Sequence, residues 1–230
     1  MSDSSPFDQI PDPLAPEAAL AHGGAAPRVP LAASPDRVAI QRRRRVAFGA
    51  SLAWLAGHLG VYGIRQDFTE LPIAYMLAQI VLPVVVGACS LVVALAPGKL
   101  GLGVGISLVS AMALVGPASF CVLASSLPAP HPALNGQLGF WLSSLSCLGI
   151  AISCAALPLL MAALSLRRAF STQAAWRSAL VGAGLGAFSG ATINLHCANV
   201  DAWHLVTGHG VPVVVAAGLG AFLVARWTRA

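Results

Sequence analysis

Six long stretches of this chain contain no Asp, Glu, Lys or Arg, and this pattern restricts the fold more than any other feature of the sequence. They cover residues 46–64, 72–96, 100–124, 139–164, 179–196 and 204–225. About 20 apolar residues in a helix are enough to cross the roughly 30 Å hydrocarbon core of a bilayer. A backbone in lipid must satisfy its own hydrogen bonds, so each stretch is predicted to be a helix.

Composition supports the same interpretation. Only 9% of the 230 residues are charged and 57% are hydrophobic, with a mean hydropathy of +0.79. Soluble domains carry about 25% charged residues, so this chain has too few charges to cover a surface that faces water. The predicted fold class is therefore all-α: a polytopic membrane bundle of six transmembrane helices with a disordered N-terminal tail, embedded in a lipid bilayer.

The N-terminal part differs from the rest, and we predict a tail over 1–45 and a six-helix transmembrane domain over 46–226. The first forty residues contain seven prolines and no long apolar run, so they cannot bury enough surface to offset chain entropy. A tail of this kind often folds on a protein partner. The candidate partner-binding residues are Pro16, Glu17 and Leu20, which lie in a short helix-compatible segment, and the basic run Arg42, Arg43, Arg44 and Arg45.

The basic residues predict the orientation of the helices. With six helices and the N-terminus inside, 12 of the 13 basic residues fall on the cytoplasmic side, and only Arg65 falls outside. Positively charged loops remain in the cytoplasm, so both termini are predicted to lie there. The loop 165–178 is then the second substantial cytoplasmic segment.

Three glycines recur at every fourth position of the fifth stretch: Gly182, Gly186 and Gly190. Small residues at this spacing let two membrane helices approach closely. Packing within the bundle is the first interpretation of this stripe, and a homodimer face is the second.

The residues that could carry chemistry cluster near the external end of the last two stretches. The candidate sensing or metal-ligating residues are His196, Cys197, His204 and His209, with His58 of the first stretch directed at the same layer. Imidazole and thiolate ligands suit zinc or copper. In an α-helix, however, residues five apart point roughly 140° away from each other, so His204 and His209 would not chelate one ion unless the helix is broken near Gly208 or Gly210.

Four interpretations of this layer remain open from the sequence. The histidines could hydrogen-bond the helix ends, bind a metal ion, ligate haem, or sit beside a redox-active Cys197. The other cysteines, Cys89, Cys121, Cys147 and Cys154, lie inside apolar stretches and are predicted to fill packing seams.

Several classes of function are disfavoured. No apolar stretch has an ionised residue near its centre, as proton and ion pumps require, and no HExxH or GxSxG motif occurs. No basic patch comes with interleaved aromatic residues, so direct binding to nucleic acid is not expected. We therefore predict that the protein is not an enzyme.

Three features of the chain resemble the NrsF-like integral-membrane anti-sigma factors. They are the six-helix layout, the Pro-rich tail that ends in arginines, and the segment from His196-Cys197 through Trp203-His204 to Gly208-His209-Gly210. CarR-type anti-sigma proteins are functionally related. The resemblance implies that the chain sequesters an extracytoplasmic-function sigma factor at the bacterial inner membrane and releases it on an envelope, metal or oxidative stimulus. It also implies that sensing falls to His196, Cys197 and His204. A small metal- or haem-binding membrane carrier that uses the same histidines is the alternative.

Overall fold

The computed structural model describes residues 37–95, 137–167 and 173–228, together with residues 111, 114, 115 and 118. Five long helices lie in these ranges, which contain no β-strand. They are α1 (Arg37–Tyr62), α2 (Ile73–Leu95), α3 (Gln137–Ser165), α4 (Ala174–His196) and α5 (Ala202–Trp227). A single 3₁₀ turn, Phe68–Glu70, lies between α1 and α2. The predicted all-α class is confirmed.

The number of membrane spans differs from the prediction. Four helices, α2 to α5, are long and apolar enough to cross a membrane, so the described residues support four spans rather than six. Helix α1 falls short because arginines occupy its first third and Trp54 and His58 interrupt its apolar part. The stretch 100–124 lies outside the described residues except for four isolated positions.

Two predicted boundaries also shift. Helix α1 begins at Arg37, so Arg42 to Arg45 lie in that helix with exposed side chains, as suits a residue of high helix propensity. Helix α4 begins at Ala174 rather than near 179, so Trp176 and Arg177 belong to the helix and not to a loop. The described part of the loop 165–178 is therefore shorter than predicted.

The distribution of side chains is that of a bundle in lipid. Large apolar side chains face outward, for example Val92 (69% exposed), Leu142 (63%) and Phe222 (62%). The interior instead contains small and polar residues, including Ser189, Asn194 and two histidines. Polar groups inside a membrane bundle pair with each other or mark a functional layer.

Helix α4 lies at the centre, and its glycines explain how closely its neighbours approach. A methyl group added at Gly182 would lie 2.7 Å from the carbonyl carbon of Ala216 in α5, and one at Gly186 would lie 2.8 Å from the Cα of Val213. On the opposite face, a methyl group at Gly184 would lie 2.9 Å from the carbonyl oxygen of Gly87 in α2. Both neighbours therefore pack against the backbone of α4 itself.

Contacts between the described helices define the two ends of the bundle. At one end, α1 finishes beside the end of α4, where the Arg65 N–H donates to the carbonyl of Leu195 at 2.9 Å. At the other end, Ala94 of α2 packs with Leu166, which follows α3, and with Leu180 of α4. Helices α2 and α3 both run from the first end to the second. The first end, which we call the histidine end, holds the candidate site.

Candidate thiol and imidazole site

Four side chains from three elements meet inside the bundle near the histidine end. Cys147 comes from α3, Cys197 from the turn after α4, and His204 and His209 from α5. One sulfur or nitrogen atom from each lies within 4.8 Å of the others, and all four residues are buried. The two sulfur atoms are 3.5 Å apart, and Cys197 Sγ is 3.2 Å from His204 Nε2. We call these four residues the Cys/His cluster.

The two histidines meet because the first part of α5 is not α-helical. Residues Leu205–Gly210 form a π-helical turn, in which hydrogen bonds join residues five apart. This wider turn brings His204 and His209 to the same side of the helix, with ring centroids 5.3 Å apart and edge-to-face. Such turns are frequent at functional sites. Chelation by both histidines requires a departure from α-helical geometry, and this π-helical turn provides it.

A glycine allows Cys147 to reach the cluster. A methyl group at Gly208 would lie 3.1 Å from the Cβ of Cys147 and 3.5 Å from the carbonyl oxygen of Ser144. A side chain at this position would therefore push α3 away from α5. The glycine sets the distance between the helix that carries Cys147 and the helix that carries both histidines.

Each imidazole of the cluster has a polar partner on its other nitrogen. His204 Nδ1 lies 3.1 Å from Ser144 Oγ, and His209 Nδ1 bonds to Asn194 Oδ1. Asn194 Nδ2 in turn donates to the backbone carbonyl of Gln79 at 2.6 Å. These contacts fix both rings and connect the cluster to α2, α3 and α4.

Cys197 is held in place by a short, closely bonded turn. Its own N–H donates to the carbonyl of Ile193 at 2.7 Å, closing α4, and its backbone is extended. After it, Asp201 Oδ1 accepts from the His204 N–H at 3.1 Å and caps the start of α5. The turn therefore brings the thiol and the imidazole of His204 together within eight residues of chain.

A buried arginine clamps the same turn from outside the cluster. Arg65 is only 5% exposed, and Nη1 donates to the carbonyl of Cys197 at 2.9 Å. Two further guanidinium nitrogens donate to the Asp67 carboxylate, each at 2.6 Å. Such bidentate pairs are stronger and more directional than other charge pairs. This hydrogen bonding to Asp67 raises the pKa of the Arg65 guanidinium, so the clamp is charged at every physiological pH.

The surroundings of Cys197 favour its thiolate. The hydrogen bond that it accepts from the Cys147 thiol lowers the pKa of Cys197, and burial, which acts in the opposite direction, does not outweigh it. The His204 imidazole, whose Nε2 lies 3.2 Å from Cys197 Sγ, lowers the pKa of Cys197 further. A thiolate is the form that binds metals and that reacts with oxidants.

Two predicted site residues lie elsewhere. His58 bonds to Ser153 Oγ and to the carbonyl of Trp54, each at 3.0 Å, and so joins α1 to α3. His196 lies at the end of α4, where Nδ1 is 3.3 Å from the carbonyl of Gly63 and the ring packs against Tyr62. Neither belongs to the Cys/His cluster. Pro16, Glu17 and Leu20 lie outside the described residues.

Three site residues lie outside the set that the sequence predicts: Cys147, Ser144 and Asn194. The Cys147 thiol lies in an apolar stretch, apart from the histidines in sequence, and that position indicates a packing seam rather than the site. A usable signal was the serine-rich segment from Ser143 to Cys147, since three serines beside a thiol are unusual in a purely apolar helix face. The packing role is confirmed for both thiols, because Cys147 and Cys154, one heptad apart on α3, lie in the hydrophobic cluster around Ile193.

Comparison with known protein families decides the relationship. A family model described as negative regulator of sigma F, NrsF, matches residues 31–229. The chain belongs to the NrsF family. The match covers all five helices and every residue of the Cys/His cluster. No curated protein and no solved structure matches the chain.

Membership confirms the resemblance noted from the sequence and gives the general class of function. The description of the NrsF family implies negative regulation of a sigma factor, so the protein is regulatory and its partner is a sigma factor. The family is regulatory rather than enzymatic. The apolar helices agree with a membrane protein of this class.

Proposed function

We propose that this protein is an anti-sigma factor of the inner membrane, which sequesters an extracytoplasmic-function sigma factor and releases it when an envelope, metal or oxidative stimulus acts on the Cys/His cluster. The observation that carries the proposal is the buried cluster of two thiols and two imidazoles inside a protein of the NrsF family.

The path of the chain supports a six-span topology. Helices α2 and α3 run in the same direction, so Leu95 and Gln137 lie at opposite ends of the bundle. The stretch 100–124 is long and apolar enough in sequence for one crossing. The part of α1 from Val46 to Tyr62 contains no charged residue, and with it as a further crossing the proposed total is six.

The distribution of charge supports the proposed orientation. Arg42 to Arg45 lie in the first half of α1, roughly 20 to 25 Å along the helix from His58 at 1.5 Å per residue. Arg177 and Arg226 also lie at the end away from the histidines, at the start of α4 and the end of α5. Basic residues remain in the cytoplasm, so the histidine end is proposed to face the periplasm and the two chain ends the cytoplasm.

The same orientation separates the sensor from the partner. The tail 1–45, with Pro16, Glu17, Leu20 and the four arginines, is proposed to bind the sigma factor in the cytoplasm. The cluster joins α3, α4 and α5, so a change of its bonding alters how these helices pack. Such a stimulus controls release only if it binds the two helix arrangements differently.

The structure offers less support for a metal or haem carrier. Within the described ranges, the Cys/His cluster is the one group of three or more potential metal ligands, and all its members are buried. A carrier needs successive weak sites along a path, whereas a buried four-residue site retains what it binds. A homodimer is not part of the proposal, because Gly182 and Gly186 face α5 of the same chain.

Co-purification tests the proposal. The full chain, carrying an affinity tag, is expressed with each candidate sigma factor of its source organism and purified in detergent. We expect one of them to be retained, and to be lost when residues 1–36 are deleted. A chain that reaches the membrane and retains none of them would refute the assignment.

A further inference from the structure

We propose that Cys147, Cys197, His204 and His209 bind one Zn²⁺ ion, as a closed tetrahedral site that locks α3, α4 and α5 together at the histidine end. The site is derived from the geometry alone, whereas its use in regulation rests on the function proposed above.

The spacing of the four ligand atoms fits zinc. Bond lengths of about 2.3 Å to sulfur and 2.0–2.1 Å to nitrogen place the ligand atoms of a tetrahedral site roughly 3.3–3.8 Å apart. The two sulfur atoms are 3.5 Å apart, and Cys197 Sγ lies 3.2 Å from His204 Nε2. All four ligand atoms lie within 4.8 Å of one another. Side-chain rotations that move the more distant ligand atoms by about 1 Å would complete the coordination.

The hydrogen bonds of His209 direct its lone pair into the cluster. The backbone carbonyl of Gln79 can only accept, so the amide nitrogen of Asn194 points to it, and Asn194 Oδ1 faces His209. Because Oδ1 is an acceptor, His209 Nδ1 carries the proton and donates. Nε2 is then the unprotonated nitrogen, the form that binds a metal ion.

That same nitrogen has no hydrogen-bond partner among the described residues, although His209 is completely buried. Buried polar atoms almost always have a partner, and one without a partner requires an explanation. A metal ion at the centre of the cluster would be the missing partner of His209 Nε2. His204 also has an outer partner, since Nδ1 lies 3.1 Å from Ser144 Oγ, a hydroxyl that can accept from Nδ1 and leave Nε2, which faces Cys197, for the ion. Outer partners of this kind orient the histidines of metal sites.

The charges of the four ligands favour a divalent ion. Binding removes the protons of the two thiols, so a divalent ion with two thiolates and two neutral imidazoles forms a complex with no net charge. A neutral complex avoids most of the cost of burying charge among apolar helices. Thiolate and imidazole ligands suit zinc, whereas magnesium and calcium require oxygen ligands. The Asp201 carboxylate, four residues after Cys197 in the chain, already caps α5.

The test is metal content and cobalt spectroscopy of the full chain. The tagged chain is purified in detergent under reducing conditions, supplied with Zn²⁺, and passed through a desalting column before metal analysis. We expect about one zinc per chain for a single four-ligand site. Replacement by Co²⁺ should give the intense visible absorption of a tetrahedral ion, together with thiolate-to-cobalt charge transfer in the near ultraviolet.

Matched cysteine variants locate the site. Cys147→Ser should lose the metal and the charge-transfer band, whereas Cys154→Ser, which changes a buried thiol seven residues along the same helix, should keep both. His209→Gln tests an imidazole ligand in the same way. Asn194→Ala should weaken zinc affinity by roughly 10- to 100-fold, as the loss of an outer partner does. Circular dichroism and elution volume identify variants that fail to fold, and Asn194→Ala keeps all four ligands.

Two results would overturn the site: a well-folded wild-type chain that retains no zinc or cobalt, or equal metal retention in the Cys147→Ser and Cys154→Ser variants. Sigma-factor retention measured on the same samples separates the two proposals. Zinc binding without a retained sigma factor refutes the anti-sigma assignment alone. Retention of the sigma factor without metal refutes the zinc site alone.

Discussion

Replacing Gly182 by alanine should push α4 and α5 apart at the place where their backbones are in contact. The added methyl carbon would lie 2.7 Å from the carbonyl carbon of Ala216 and 3.0 Å from the Cα of Ala217. Carbon atoms in contact prefer about 3.5–4.0 Å, so α4 and α5 would have to move apart by roughly 1 Å. Both obstructing atoms belong to the backbone, so rotation of a side chain cannot relieve the clash.

The expected cost follows from that displacement. Overpacking of this size destabilises a protein by about 1–3 kcal/mol. For a chain of 150–250 residues, each kcal/mol changes the melting temperature by roughly 2–4 °C, so Gly182→Ala should lower Tm by roughly 2–12 °C. The assay is thermal unfolding of the detergent-solubilised chain, followed by circular dichroism.

Gly218→Ala is the matched control. It makes the same substitution in α5, but a methyl group at Gly218 meets nothing within 4 Å. We expect this variant to melt at or slightly above the wild-type temperature, because alanine favours a helix by about 1 kcal/mol over glycine. If both variants melt like the wild type, the close packing of α4 and α5 described here is wrong.

Three further substitutions test how the site is held. Gly208→Ala should push Cys147 away, because the methyl group would lie 3.1 Å from its Cβ, and should lower zinc content while Gly218→Ala leaves it unchanged. Arg65→Gln removes the clamp on the carbonyl of Cys197 and should cost roughly 1–3 kcal/mol. It should also speed alkylation of Cys197 by a maleimide; an unchanged rate would show that the clamp does not control access. Asp201→Ala removes the cap on α5 and should cost about 0.5–2 kcal/mol, whereas Asp201→Asn, which keeps an acceptor oxygen, should retain most of the stability.

Apolar run length was sufficient to predict the all-α class and the approximate positions of the five described helices, because a long apolar run in lipid allows few other structures. The predicted first residues of α1 and α4 were wrong. Arginines are good helix formers, so α1 extends into the segment predicted to be tail, and the same holds for α4 around Arg177. Of the site, the sequence indicated Cys197, His204 and His209, which are close together in the chain.

The remaining members depend on tertiary structure. Cys147 is 50 residues from Cys197 along the chain, and only the packing of α3 against α5 at Gly208 brings the thiols together. The π-helical turn that brings the two histidines to one side leaves no periodic signal in the sequence. His58 and His196 face the same end of the bundle but bond to other helices, because their positions around α1 and α4 turn them away from the cluster.

The most direct test of the account measures transcription from a promoter that depends on the cognate sigma factor, in cells that carry the wild-type chain, the Cys147→Ser variant or the Cys154→Ser variant at equal membrane levels. Oxidant or excess metal is added, and reporter output is compared before and after. The account predicts that the Cys154→Ser variant responds like the wild type, whereas Cys147→Ser uncouples output from the stimulus. An identical response in all three strains would contradict it, because the buried cluster would then have no part in regulation.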